Sequence, residues 1–346
     1  MMADTRIELG EMTLQCKYGE NGYQTPAALY SSGTGDLLAL DRFEVAQGTA
    51  PSYNNLCDLD RLLQTATHMA AGFDVNFGEA PFLAVACKHG NPCGASAGSS
   101  PRQVVEKAVE GDLRAIFGGL VLLNFDVDEE IAETLMVHKM DEGRRLLDGI
   151  IAPGFSQGAV EMLKRKGDKC RLLQNPALKA MDRDSLDVAQ RYRYVRGGFL
   201  AQPNFTYVPE LASDGVEKSG EAPPAVLEDM VLAWAVGSTS NSNTVTLVKD
   251  AMLIGNGVGQ QDRVGGCKLA IMRATDAGHD TGGAVAYSDS FFPFVDGPEA
   301  LAAAGVKAIL ATSGSVRDGE VADFCASKGI TIFRYPDSEG RGFFGH

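Results

Sequence analysis

The feature that most narrows the fold is a regular alternation of short, unbroken apolar runs with longer amphipathic stretches. A strand buried on both faces reads as a continuous apolar run, whereas a helix lying on a sheet is apolar along one face only. Phe82–Cys87, Ala115–Leu123, Gly149–Ala152, Cys170–Leu173, Ala284–Tyr287, Ala308–Ala311 and Thr331–Phe333 are of the first kind, and Val245–Val248 with Met252–Ile254 reads as a hairpin. Ser52–Met69, Pro101–Val109, Asp128–Met140, Gly158–Lys166, Ala225–Val236, Gly266–Arg273, Gly297–Ala304 and Asp318–Lys328 read as the intervening helices. The class is α/β. A connection rich in proline, serine and glutamate, Asn204–Pro224, divides the series. Ala84-Val85-Ala86 and Ala284-Val285-Ala286 end matching strands on either side of it, each leading into a polar loop with a proline. At 346 residues the chain suits two domains or lobes, 1–205 and 206–346.

Charge and cysteine content exclude several classes. A net charge of −14 argues against a duplex nucleic-acid surface. No apolar run approaches a membrane span, and Met1–Gly10, with Asp4 and Glu8, has no apolar core of a signal peptide. The seven cysteines are scattered, with no C-x-x-C pair, as in a cytoplasmic chain rather than a disulfide framework or zinc site. No P-loop, H-E-x-x-H or zinc-deaminase motif is present.

Several short constellations carry chemistry. Lys88-His89 at a strand end, followed by Gly90-Asn91-Pro92-Cys93-Gly94, sets a cation beside a proton acceptor on a tight turn, an arrangement that also suits a plain surface bend. Gly94-Ala95-Ser96-Ala97-Gly98 has the G-x-S-x-G spacing of a nucleophile elbow, with His138, His279 and His346 as candidate bases, although Asn91-Pro92 interrupts the required strand-to-serine turn. Gly255–Gly259 frees backbone to approach a ligand ahead of Arg263, which suits an anion or a solvated hairpin equally. Ser288–Gly297 sets Phe291, Phe292 and Phe294 among acids after a strand, a composition able to grip a flat ring or to fill a core. Ten Lys/Arg against five Asp/Glu between Glu161 and Arg196 read as a solvated face or as a surface for a polyanion.

Together, Lys88-His89 with Asn91–Gly94, Ser242-Asn243, Gly259–Arg263 and Ser288–Asp296 resemble one family, the AICAR (5-aminoimidazole-4-carboxamide ribonucleotide) formyltransferase half of the bifunctional purine-biosynthesis protein. Lys17–Asn21, Phe117-Gly118-Gly119, Asp148–Gly154, Ser313–Ser315 and His346 fit in the same order, without the cyclohydrolase half. The resemblance implies two tandem cytidine-deaminase-like three-layer αβα lobes without zinc, in a homodimer with active sites at the subunit interface. It also implies formyl transfer from the co-substrate 10-formyltetrahydrofolate to the 5-amino group of the ribonucleotide, with no nucleic-acid or membrane partner. Lys88, His89 and Asn243 would be catalytic. Lys17, Tyr18, Arg263, Phe291, Asp296, Arg341 and His346 would bind the nucleotide, and Phe117, Gly118, Gly119, Asp148, Phe292 and Pro293 the folate. A structural monovalent cation is left open. Three departures stand out: Lys17 and Tyr23 replace the family's usual arginine and histidine, Ala115 replaces a common serine, and Arg341 lies one place early. Lysine keeps a charge but loses the bidentate fork. A paralogue acting on another amine, or binding nucleotide without catalysis, is the alternative these departures leave, with a Ser96 hydrolase more remote.

Overall fold

Helices start here at residues whose side chains accept otherwise unpaired amides. Ser52, Ser100, Asp128, Ser156 and Asp262 each receive a backbone N–H of the helix they precede. The computed structural model describes residues 10–345. Its first half contains β1 (Glu11–Cys16), β2 (Ala27–Ser31), β3 (Glu44–Gln47), α1 (Tyr53–Phe77), β4 (Phe82–Lys88), β5 (Asn91–Gly98) and α2 (Pro101–Glu110). Then come β6 (Leu120–Leu123), α3 (Glu129–Val137), β7 (Gly149–Ala152), α4 (Gln157–Leu163) and β8 (Arg171–Gln174). A ribbon of β9 (Gln190–Val195) and β10 (Gly198–Pro203) and the short β11 (Glu217–Ser219) precede α5 (Pro224–Ser238). The second half continues through β12 (Val245–Lys249), β13 (Met252–Gly257), α6 (Arg263–Asp276), β14 (Val285–Ser288) and α7 (Asp296–Ala303). It closes with β15 (Ala308–Ser313), α8 (Asp318–Ser327), β16 (Thr331–Pro336) and α9 (Asp337–Gly340).

From α1 to β8 and from α5 to β16 the order is the same: helix, hairpin, helix, then three strands separated by two helices. All but four of the strands among the described residues join one twelve-stranded sheet, in the order β11-β16-β15-β14-β12-β13-β5-β4-β6-β7-β8-β3. The halves meet at its centre, where β13 runs antiparallel to β5 with Met252 opposite Ser96. Outward from each hairpin the next three strands are parallel to one another.

Alternation along the strands separates the two faces. Leu83, Val85 and Cys87 join α1 and α5 in one core, whereas Ala84 and Ala86 face α2–α4. The second half buries its other face beneath α6–α8. The result is three layers, helices on both faces of a mixed sheet. Helices α1 and α5 pack closely because Gly72 lacks a side chain: a Cβ there would lie 2.8 Å from Val231 and 2.9 Å from Trp234.

Some boundaries differ from expectation. Helix α1 continues past Met69 to Phe77, because Gly72 serves an interhelical contact and Gly78, in the left-handed region, makes the stop. The Ala115–Leu123 run contributes only Leu120–Leu123, since residues 112–119 form a turn in which Gly118 takes φ 72°. The small-residue tract after Asn91 is a largely buried strand. Its Gly94 abuts α2, where a Cβ would meet the Ala108 carbonyl oxygen at 2.1 Å. The basic run ends on β9, the first strand of the β9–β10 ribbon, and several of its cations are paired: Arg165 with Asp148, Lys179 with Asp126, Arg183 with Asp74. Among the described residues no helix is long and apolar enough to cross a membrane.

Candidate active site

In the β4–β5 hairpin Lys88 pairs with Asn91, leaving His89 and Gly90 as a two-residue turn. Their φ values are 53° and 71°. A tight hairpin of this hand needs positive φ at both positions, which a residue with a β-carbon adopts at a cost of about 1–2 kcal/mol. The turn is held from below. Asp58 of α1 accepts the Gly90 amide at 2.7 Å and the Cys87 thiol at 3.6 Å, and the Asn91 side chain donates to the His89 carbonyl at 3.2 Å.

Lys88, His89 and Asn91 line a cavity of about 350 Å³ with Gly255, Asn256 and Arg273 of the second half. Asn256 ties the halves together here, donating to the Pro92 carbonyl at 3.2 Å. The Lys88 ammonium donates to the Phe117 carbonyl at 2.6 Å. Gly118 in turn donates to the Leu146 carbonyl at 2.8 Å, and the Asp148 amide to that of Gly119 at 3.0 Å. Lys88, the 117–119 turn and Asp148 are therefore gathered where β4 ends and β6 and β7 begin. Asp148 faces Arg165 at 3.3 Å. Burial pushes the thiol of Cys93, on the same cavity, up to about 12, which disfavours the thiolate at neutral pH.

A second cavity of about 670 Å³ is lined by Asn243, Arg263, Phe291, Pro293, Asp296 and Arg341. Arg263 opens α6 and pairs with the fully buried Asp289. It also donates to the side-chain Oδ1 of Asn243 at 2.9 Å, while the Asn243 side-chain Nδ2 donates to the Gln260 carbonyl at 2.9 Å. Burial pushes the Asp289 carboxyl up, and the Arg263 guanidinium and Thr244 amide oppose that rise. Arg341 lies 5.7 Å from the Phe291 ring centroid and pairs with Asp337 at 2.6 Å. Burial works to raise Asp337, but hydrogen bonds from Thr312, Arg341 and Ser290 outweigh it and hold the carboxyl below its usual range. Asp296 is exposed in the first turn of α7 and accepts the Gly297 amide at 2.8 Å.

Phe117, Gly118, Gly119 and Asp148 line neither cavity, although Lys88 ties their turn to the first. Phe292 does not face a ligand site; it is buried against Gly297 and Cys267 in the core beneath α6 and α7, while Phe291 and Phe294 turn outward. Lys17 and Tyr18 lie in the turn after β1 and line neither cavity. His346 lies outside the described residues. Ser96 cannot be an elbow nucleophile: it is buried in β5, and its hydroxyl donates to the Val104 carbonyl. His138 contacts Glu110, and His279 contacts the carbonyls of Glu110 and Gly111.

Two supporting residues, Asp58 and Arg61, have no local mark in the sequence because both sit within the amphipathic pattern of α1. Arg61 is buried and donates to the Thr239 carbonyl, to Phe344 at 2.8 Å and to Asn241 at 3.2 Å, bracing the loop that leads to Asn243. Burial brings its guanidinium down to about 10, still charged at neutral pH. Among the described residues no cluster of three or more His, Cys, Asp or Glu side chains could hold a metal ion.

A family model described as AICARFT/IMPCHase bienzyme matches residues 3–273. The chain is 34% identical over 327 residues to the bifunctional purine biosynthesis protein PurH of Cutibacterium acnes, covering 94% of this chain and 57% of that protein. It is 35% identical over 316 residues to PurH of Anoxybacillus flavithermus, covering 91% and 57%. With PurH of Thermotoga maritima the identity is 34% over 327 residues, covering 93% and 62%. The chain thus spans less than two thirds of the length of these relatives. A solved deaminase/reductase from Thermotoga maritima, diaminohydroxyphosphoribosylaminopyrimidine deaminase/5-amino-6-(5-phosphoribosylamino)uracil reductase, aligns at 18% identity over 28% of this chain and 31% of its own. The TM-score is 0.21, too low to bear on the fold.

Proposed function

The chain belongs to the AICARFT/IMPCHase bienzyme family, and on that premise we propose that it transfers a formyl group from 10-formyltetrahydrofolate to the 5-amino group of AICAR. The observation that carries this reading is the pair Lys88 and His89 lining one cavity, with Lys88 tied to the Phe117 carbonyl beside Asp148.

The acceptor amine is a weak nucleophile because its lone pair is delocalised into the imidazole. As it attacks the formyl carbon, a C–N bond forms and the carbonyl oxygen gains charge. His89 takes the proton the amine releases, and the Lys88 ammonium stabilises the oxyanion. Collapse of the adduct breaks the bond from the formyl carbon to folate N10, which leaves as tetrahydrofolate with the proton that His89 took up. Phe117, Gly118, Gly119, Asp148 and Pro293 would hold the folate, Asp148 accepting from the pterin amino group. Asn243 would orient the formyl oxygen. Arg263, Phe291, Asp296 and Arg341 would bind the nucleotide with Lys17 and Tyr18.

The shared element order supports two lobes of like build, residues 1–205 and 206–346, which would be cytidine-deaminase-like; the chain would act without zinc, in the cytoplasm. Lys88 and His89 line one cavity and Asn243 and Arg263 another; in a homodimer the Lys88–His89 cavity of one copy would combine with the Asn243–Arg263 cavity of its partner.

The test is incubation of the purified chain with AICAR and 10-formyltetrahydrofolate, following tetrahydrofolate release. Turnover is expected, falling about 10²- to 10⁴-fold in Lys88→Ala and in His89→Ala. A folded protein without turnover would overturn the activity, and unimpaired alanine variants would overturn the mechanism.

A further inference from the structure

We propose that Asp58 is a positioning residue for this reaction: its carboxylate fixes the turn that presents Lys88 and His89. The inference rests on the formyl-transfer reading, and its evidence is a comparison of the two halves of the chain.

Asp58 is the sixth residue of α1, and Asp229 is the sixth residue of α5. Each helix is followed by a hairpin with a two-residue turn at positive φ, 53° and 71° at His89 and Gly90, 54° and 56° at Asp250 and Ala251. Each aspartate reaches that turn. Asp229 accepts the Asp250 amide at 3.1 Å and the Ala251 amide at 2.6 Å. Asp58 accepts the Gly90 amide at 2.7 Å. A carboxylate is suited to this because it accepts several N–H bonds at once and has no donor to misdirect.

What differs is the use made of the turn. In the second half Lys249 is paired with Asp280 at 3.0 Å, and Lys107 donates to the Asp250 carbonyl at 2.7 Å, so the turn is bound into its surroundings. In the first half the corresponding lysine donates to the Phe117 carbonyl, yet it and the following histidine line a cavity. The anchor is common to both halves and the chemistry to one. Holding the Gly90 amide sets the backbone on which the His89 ring is mounted, so a small shift of the turn moves the proton acceptor relative to the amine. Misplacement of this kind lowers the rate of the chemical step without removing a substrate contact.

The experiment compares Asp58→Ala, Asp58→Asn and Asp229→Ala with the wild-type chain, measuring kcat, both KM values and thermal stability. Asp58→Ala is expected to lower kcat about 10- to 100-fold with each KM within about threefold. Asp58→Asn, which keeps an acceptor oxygen, is expected to recover most of that loss. Asp229→Ala is expected to lower Tm and leave kcat within about twofold, since the turn it anchors presents no reacting group. If Asp58→Ala cannot be obtained folded, Asp58→Glu displaces the acceptor by one methylene and is expected to lower kcat several-fold. An unchanged kcat in a folded Asp58→Ala or Asp58→Glu protein overturns the inference, as does an equal loss of kcat in Asp229→Ala. A wild-type chain without turnover overturns the formyl-transfer reading itself, and this inference with it.

Discussion

His89 joins an exposed imidazole to a left-handed backbone, and the two make opposite demands on the residue chosen. Glycine would relieve the turn, because only the β-carbon makes φ 53° unfavourable. His89→Gly is therefore expected to stabilise the fold, or leave it unchanged, within about 1 kcal/mol by urea denaturation, while formyl transfer falls at least about 100-fold. A stability loss above about 2 kcal/mol would show that the ring packs against the fold rather than serving the cavity. Lys88 and His89 were legible in the sequence because they are adjacent and end an apolar run. Asp58 was not, because its partner amide is 32 residues away and becomes a neighbour only when α1 lies across the hairpin.

At the scale of elements, the α1–α5 contact makes the sharpest demand. A methyl at Gly72 would enter space already filled by Val231 and Trp234, both buried. Gly72→Ala would gain helix propensity in an exposed helix, but here overpacking is expected to dominate and cost about 1–3 kcal/mol. Chemical denaturation checks the sign. The buried strands were readable because their Val, Ile, Leu and Ala runs are continuous. Two elements escaped that test for different reasons. Strand β5 is built of Gly, Ala and Ser because α2 lies directly on it, so it lacks bulky β-formers despite being central. In the β9–β10 ribbon, β9 alternates Arg with Tyr, and the ribbon lies outside the large sheet, so it never needed a continuous apolar run. Phe292 shows the corresponding limit at the site: in Phe291-Phe292-Pro293-Phe294, composition alone does not reveal which ring turns inward.

At the scale of the whole molecule, two buried groups give folding opposite pH slopes. Burial lowers His68 to about 4, so the unfolded chain takes up its proton first as pH falls from about 6.5 toward 4, and that stability is lost toward acid. Burial raises Asp229 to about 6, so the folded chain keeps its proton longer; this stability is present below about 4 and lost as pH rises through 6. Urea denaturation of His68→Gln beside wild type is expected to give a difference, wild type minus variant, that grows toward neutral pH by about 2–3 kcal/mol, and Asp229→Asn a difference of the opposite slope. Parallel curves for either pair would contradict the shift concerned. The central β5–β13 pairing carries a consequence for synthesis. When β5 leaves the ribosome its outer edge has no partner until β13 is made, roughly 160 residues later. At about 5–20 residues per second that delay is on the order of 10 s, during which an open strand edge and the uncovered face of α1 are available to other nascent chains. The first half of this chain is accordingly the part that needs protection while the second is being translated.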